Sequence, residues 1–234
     1  MKVSRQPDGT PEIFHSVQGE GASIGTPAVF LRLALCNLAC RWCDTKYTWD
    51  WESHDRDGLV MEMAARDIVK AVLAYRCPRL VVTGGEPLVQ QRELAPVLKA
   101  LKGSGLTIEV ETNGTIVPDD DLAAVVDQWN VSPKMESSGN SRSAREVAAA
   151  YQFFRGQDSA DFKFVVDSED DFEEVNVIVG RYGLSHQRVI LMPQATDTEN
   201  LLERGRWLAG LSKQTGYRTS TRLHVLLWGN RRGV

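Results

Sequence analysis

At 234 residues, with 42% hydrophobic and 25% charged side chains, the chain is long enough to enclose one sizeable core, and a single domain over residues 1–234 is expected. A formal net charge of -4, from 27 basic against 31 acidic residues with no basic stretch, argues against a nucleic-acid partner. Residues 1–15 lack the apolar centre of a signal peptide and no apolar run reaches the roughly eighteen residues of a membrane span, so a cytoplasmic protein with no membrane partner is expected.

In chain order, short apolar runs alternate with longer amphipathic ones. Residues 28–35 (AVFLRLAL) predict a strand, 61–75 a helix, 79–83 (RLVVT) a strand and 88–102 a helix. Residues 106–111 (LTIEVE) predict a strand, and 119–127 a helix whose acidic start suits the helix dipole. Strands at 128–132 (QWNVS), 161–166 (DFKFVV) and 188–192 (RVILM) alternate with helices at 143–154, 169–182 and 200–213. Residues 222–227 (RLHVLL) predict a last strand, and the polar stretch 136–145 (ESSGNSRSAR) a mobile loop.

Strands alternating with helices build parallel βαβ units. About six of them predict an α/β fold, an incomplete parallel (β/α)6-type TIM-like barrel over residues 28–228; a doubly wound open sheet fits the same pattern. In both, ligands bind at the carboxyl ends of the strands, and that end collects the unusual residues: the cysteine loop, GGEP (84–87), ETNG (111–114), SPK (132–134) and MPQ (192–194).

Cys36, Cys40 and Cys43, in CNLACRWC, place three thiols on one short loop. An all-cysteine cubane takes four thiolates, so three leave one iron open to a small molecule. The alternatives are a non-enzymatic zinc-binding protein that also uses Cys77, and unpaired core cysteines; zinc sites favour paired Cys-x-x-Cys motifs, and no second pair exists. In Thr83-Gly84-Gly85-Glu86-Pro87 the glycines offer backbone to a ligand and Glu86 accepts hydrogen bonds from an ammonium group, unless the segment is an ordinary turn begun by Pro87.

With the cysteine loop followed one βα unit later by GGEP, the chain resembles the radical S-adenosylmethionine superfamily. The resemblance implies a [4Fe-4S] cluster on Cys36, Cys40 and Cys43, with S-adenosylmethionine on its open iron and its amino group against Gly84, Gly85 and Glu86. Within that superfamily, residues 12–21 (EIFHSVQGEG), 25–32 (GTPAVFLR), Cys43-Asp44-Thr45, the SPK and residues 224–229 (HVLLWG) are similar to the 7-carboxy-7-deazaguanine synthase family. The family reaction is a carbon-nitrogen lyase step: radical ring contraction of 6-carboxy-5,6,7,8-tetrahydropterin to 7-carboxy-7-deazaguanine, with loss of ammonia, for queuosine-type bases.

Carried over residue by residue, the resemblance implies a substrate pocket of Val17, Gln18, Gly19 and Thr83, with Gln18 presenting its amide to the pterin edge. Arg32 would hold the substrate carboxylate; without the resemblance it reads as a strand arginine in an ion pair. Thr45 would be the protein ligand for Mg2+, and Ser132, Pro133, Lys134, Met192, Pro193 and Gln194 would complete the S-adenosylmethionine site, the last three in place of a Gln-Pro of many relatives. A flavodoxin- or ferredoxin-type electron donor and a homodimer are implied as well. A glycyl-radical activase shares the cluster loop, the GGEP and a segment like ETNG, but has no evident use for residues 14–21 or Arg32. His224, between apolar neighbours, reads as a core histidine and Cys77 as a structural thiol; Asn113 and Lys163 point toward the site end without an assigned role.

Overall fold

The computed structural model describes residues 1–234. Its strands are β1 (Lys2–Ser4), β2 (Ile13–Val17), β3 (Pro27–Leu33), β4 (Val60–Glu62), β5 (Arg79–Gly84), β6 (Thr107–Thr112), β7 (Gln128–Val131), β8 (Ala160–Val166), β9 (Val189–Pro193) and β10 (Arg218–Thr219). Strands β3, β5, β6, β7, β8, β9 and β10 pair in that order, all parallel. β1 and β2 pair antiparallel with β3, and β4 with β1. The order runs from β10 to β4 without joining its ends, so the barrel is incomplete.

Side-chain alternation gives the sheet its two faces. One face carries Val29, Leu31 and Leu33 of β3, Leu80 and Val82 of β5, Ile108 and Val110 of β6, Trp129 and Val131 of β7, and Phe162, Phe164 and Val166 of β8. These pack against helices Ala65–Ala74, Gln91–Gly103, Ala148–Arg155, Glu169–Tyr182 and Thr198–Thr215 in one core of 39 buried residues. The residues between them face the lumen: Phe30 and Arg32, Thr83, Glu109 and Glu111, Asn130 and Ser132, Lys163. The lumen is polar and charged near the carboxyl ends of the strands, with the stacked rings of Phe14 and Phe30 and the side chain of Val81 forming a small apolar floor.

Helix starts follow their caps. Ser168 accepts the amide of Asp171, Asp197 that of Asn200 and Asp119 that of Leu122, each satisfying an amide that the first helical turn leaves free. The expected helix over 61–75 begins only at Ala65, because Met61 belongs to β4 and pairs with Val3. The helix expected over 119–127 spans only Asp120–Ala123. That over 143–154 is split into Arg142–Arg145 and Ala148–Arg155, since the chain turns at Glu146 to bury the Arg145 guanidinium against Glu174 and the Lys134 carbonyl.

Residues 222–227 are not a strand. Arg222 caps, and residues 223–227 fall in, helix Leu223–Trp228, which turns Val225 against Ala195 and Leu201. A six-residue apolar run fits either period, and the seventh parallel position is filled by β10. Residues 136–145 are not a free loop either: Ser138 is fully buried and its carbonyl accepts the amide of Arg41 at 2.9 Å.

Candidate active site

The lumen-facing residues at the carboxyl ends of the strands surround a cavity of about 280 Å³. β3 contributes Phe30 and Arg32, then passes the chain into the loop of Cys36, Cys40 and Cys43, all of which line the cavity. Leu35 takes a left-handed turn at φ 74° at the loop entrance, where its amide donates to Thr48 and its carbonyl accepts the amide of Glu86, both at 2.7 Å. Burial pushes the Cys36 thiol up to about 12 and raises Cys40 too, so a bound cation is needed to draw off the Cys36 proton at neutral pH.

The three sulfurs do not converge on a point that could hold a single metal ion. All three line one cavity from one short loop, where a cubane can take a different iron for each sulfur. Each also has an N–H directed at it: Asn140 Nδ2 lies 3.2 Å from Cys40 Sγ, Trp49 Nε1 3.3 Å from Cys43 Sγ and the Leu38 amide 3.5 Å from Cys36 Sγ. Such donors suit negatively charged sulfur, and the residues present fit a [4Fe-4S] cluster. Cys77 precedes β5, at the far end of the barrel, where it is buried in the core with its thiol 3.5 Å from the Pro27 carbonyl. The zinc reading, which drew on Cys77, loses its fourth thiol.

Gly84 and Gly85 form the next wall. Gly84 has φ 135°, and a Cβ there would overlap the Leu33 carbonyl; one on Gly85 would overlap the Leu35 carbonyl. The paired glycines therefore let the strand end lie directly on the backbone leading into the cysteine loop, and they leave main chain facing the cavity. Glu86 does not line it. Its carboxylate is fully buried and accepts from the Leu88 and Asn113 amides at 3.0 and 2.6 Å and from Thr112 Oγ1 at 2.9 Å. The ammonium contact expected of Glu86 thus gives way to a structural role: it caps the turn after β5 and ties that turn to the end of β6.

Ser132, Lys134, Met192 and Gln194 line the cavity, while Pro133 and Pro193 are buried behind it. Lys134 Nζ donates to the Ser132 carbonyl and hydroxyl at 2.9 and 2.8 Å and sits 5.7 Å from the ring centroid of Trp42 in the cysteine loop. Gln194 Oε1 accepts from Arg204 at 2.9 Å.

Val17, Gln18, Gly19, Arg32 and Thr83 also line the cavity. The Gln18 amide, expected to face a ligand, is engaged inside the protein: its Nε2 donates to Glu109 and Glu111 at 2.9 and 3.0 Å, while its oxygen accepts the Glu20 amide. Gly19 lies so close to His224 that a Cβ would overlap the imidazole. Thr83 Oγ1 donates to Glu111 at 2.7 Å. Arg32 Nε donates to Glu12 at 3.0 Å and neither Nη has a protein partner, so the ion-pair reading and the anion-binding reading use different edges of one guanidinium. Thr45 Oγ1 lines the cavity 3.5 Å from Cys43 Sγ. A single neutral hydroxyl fits magnesium only if an anionic ligand and waters supply the remaining oxygens.

Sequence reasoning missed a charged cluster at this cavity. Glu20, half-buried at the cavity, accepts from Lys163 Nζ and, at 2.9 Å, from Arg222 Nε; Arg222 also pairs with Asp44. Burial alone would raise the Glu20 carboxyl, but the Lys163 ammonium and Arg222 guanidinium outweigh it and hold it far below the usual carboxylate range. His224 corrects its core assignment: it lines the cavity, and burial lowers its pKa so that the ring is neutral at pH 7. Glu111 was missed as well, although Glu109 and Glu111 stand two apart in β6 and must share a face. Asn113 and Lys163 both line the cavity.

A model of the radical SAM superfamily matches residues 33–138. The chain is 43% identical over 227 residues to the 7-carboxy-7-deazaguanine synthase of Pyrobaculum aerophilum, covering 95% of both chains. It is 35% identical to that of Hyperthermus butylicus, covering 92% of this chain and 91% of the relative. The crystal structure of QueE from Escherichia coli superposes with a TM-score of 0.70 at 24% identity, covering 96% of this chain and 95% of that one, a likeness of fold. With the three-cysteine wall and identities this high over nearly the whole length, the chain belongs to the 7-carboxy-7-deazaguanine synthase family of the radical SAM superfamily.

Proposed function

We propose that the chain is a carbon-nitrogen lyase that converts 6-carboxy-5,6,7,8-tetrahydropterin to 7-carboxy-7-deazaguanine with loss of ammonia. The observation that carries the reading is that one cavity is lined both by three cluster thiols and by an arginine with both Nη atoms free together with the carboxylate of Glu111. When bound, the [4Fe-4S] cluster and S-adenosylmethionine supply a carbon radical able to take hydrogen from an unactivated C–H bond.

The protein's own residues bind and orient. The free edge of Arg32 matches a carboxylate in the planar fork geometry. Glu111 accepts one protein donor on each oxygen and keeps a lone pair on each for the N–H-rich edge of a pterin. Gly84, Gly85, Ser132, Lys134, Met192 and Gln194 form the wall nearest the cysteines and supply the S-adenosylmethionine pocket. Thr45 and the substrate carboxylate together offer Mg2+ its non-water oxygens. Neutral His224, beside the fixed charges of Glu20 and Arg222, accepts or donates one hydrogen bond at the substrate without adding charge. No helix is long and apolar enough to cross a membrane. A cytoplasmic setting remains the expectation from the sequence, and a homodimer and a flavodoxin- or ferredoxin-type reductant are carried over from the family resemblance.

The test is anaerobic incubation of reconstituted, reduced protein with the carboxy-tetrahydropterin, S-adenosylmethionine and Mg2+. An ultraviolet-absorbing deazapurine should accumulate over many turnovers, at a lower rate once the metal is chelated. Absence of that product from protein with full iron content sinks the assignment.

A further inference from the structure

The turn at residues 136–140 lies across the cysteine loop and is held there from both sides. Ser138, fully buried, accepts the amide of Arg41 on its carbonyl at 2.9 Å. Gly139 has φ 81°, and a Cβ there would meet the Arg41 side chain, so the turn lies directly against that residue. Asn140 then directs its carboxamide at the loop. Its Oδ1 accepts the Ala39 amide at 2.9 Å; its Nδ2 lies 3.2 Å from both Cys40 Sγ and Ser138 Oγ.

The backbone fixes which way the amide faces. The Ala39 N–H can only donate, so the oxygen must meet it, and the two hydrogens of Nδ2 are left for the sulfur and the serine oxygen. Both donors of the carboxamide and one lone pair of its oxygen are used. A group built this rigidly onto a sulfur, from a segment about 100 residues away in sequence, does more than fill space.

We propose that Asn140 is a positioning residue for the cluster: through its N–H on Cys40 Sγ it holds the reduction potential of the iron-sulfur centre higher than the bare thiolates would. The inference rests on the reading of Cys36, Cys40 and Cys43 as cluster ligands. Reduction adds a negative charge shared by iron and sulfur, and a hydrogen bond donated to sulfur stabilises the reduced form more than the oxidised one. Trp49 Nε1 offers Cys43 the same kind of bond at 3.3 Å, so two of the three thiolates carry a side-chain donor at close range.

The test compares reconstituted wild-type protein with Asn140→Ala and Asn140→Leu, neither of which adds charge. Iron per chain is counted, and the midpoint potential is read by redox titration followed in electron paramagnetic resonance. The expected result is full iron content and a roughly tenfold smaller equilibrium constant for one-electron reduction in both variants, which corresponds to about 59 mV toward more negative potential. Asn140→Asp, which keeps the acceptor for the Ala39 amide but loses the donor, should fall at least as far. Unchanged potentials in both neutral variants overturn the proposal. So does a rise, which reports water entering through a loosened turn, and so do folded variants that take up no iron, which make Asn140 an assembly residue. A colourless, iron-free wild type would instead remove the cluster reading on which the proposal stands.

Discussion

Glu12 is 1% exposed, yet its carboxylate serves three donors, Arg32 Nε, Tyr47 Oη and an Nη of Arg232, each at 3.0 Å. A carboxylate so placed freezes the arginine it holds, and Arg32 pays little further conformational entropy when its outer edge meets an anion. Arg32→Lys should therefore lower kcat/KM about tenfold or more, about 1.4 kcal/mol, because a point charge cannot bond Glu12 and a carboxylate with the same planar group. Iron content should be unchanged, and steady-state kinetics beside an iron assay check both halves; wild-type kinetics would take Arg32 out of the site. At this scale residue types were legible and directions were not. The Cys-x3-Cys-x2-Cys spacing identifies its own chemistry because the ligands are adjacent in sequence. Glu86 and Gln18 do not, since whether a carboxylate or amide faces the cavity or the protein depends on donors brought in from β6 and beyond.

At the scale of elements, the end of β5 shows what close approach demands. Gly84→Ala would force a Cβ into the Leu33 carbonyl at a φ that side chains avoid, and should cost about 3 kcal/mol or more. Gly180, in helix Glu169–Tyr182, has nothing within 4 Å of a built Cβ, so Gly180→Ala should stabilise by about 0.5–1 kcal/mol. Denaturant unfolding of the two variants reads the contrast directly; equal effects would show that the β5 contact is not tight. The six principal parallel strands and most intervening helices were legible because each carries its own period: Val29, Leu31 and Leu33 mark a strand face without reference to any partner. β1, β2 and β4 were not, being three to five residues long and strands only by virtue of pairing with β3 or each other. Residues 222–227 failed for a related reason, since a short apolar run takes whichever form its surroundings pair or pack.

For the whole molecule, the charged cluster around Glu20 links acid stability to the site. The Glu20 carboxyl is depressed in the folded protein, so its contribution is fully present above the unfolded value near 4.5 and is lost as pH falls below it toward the folded value. Glu20→Gln leaves Lys163 without its counter-charge and Arg222 with Asp44 alone, and should destabilise by about 3 kcal/mol at pH 7. The gap between variant and wild type should narrow as pH falls from 5 to about 3, as the wild-type protein gives up what the variant never had. Unfolding measured at pH 7 and pH 3 decides this, and a constant gap would show that Glu20 is not held ionised by its neighbours.

The same contacts carry a consequence for synthesis. Arg222 and Glu20 are 202 residues apart in the chain, and Ser220 and Gly21, joined by the Gly21 amide and the Ser220 hydroxyl, are 199 apart. A ribosome delivers residues 36–43 long before helix Leu223–Trp228, so this side of the cavity cannot close until that helix has been made. Until then the thiols stand open to whatever brings them iron and sulfide.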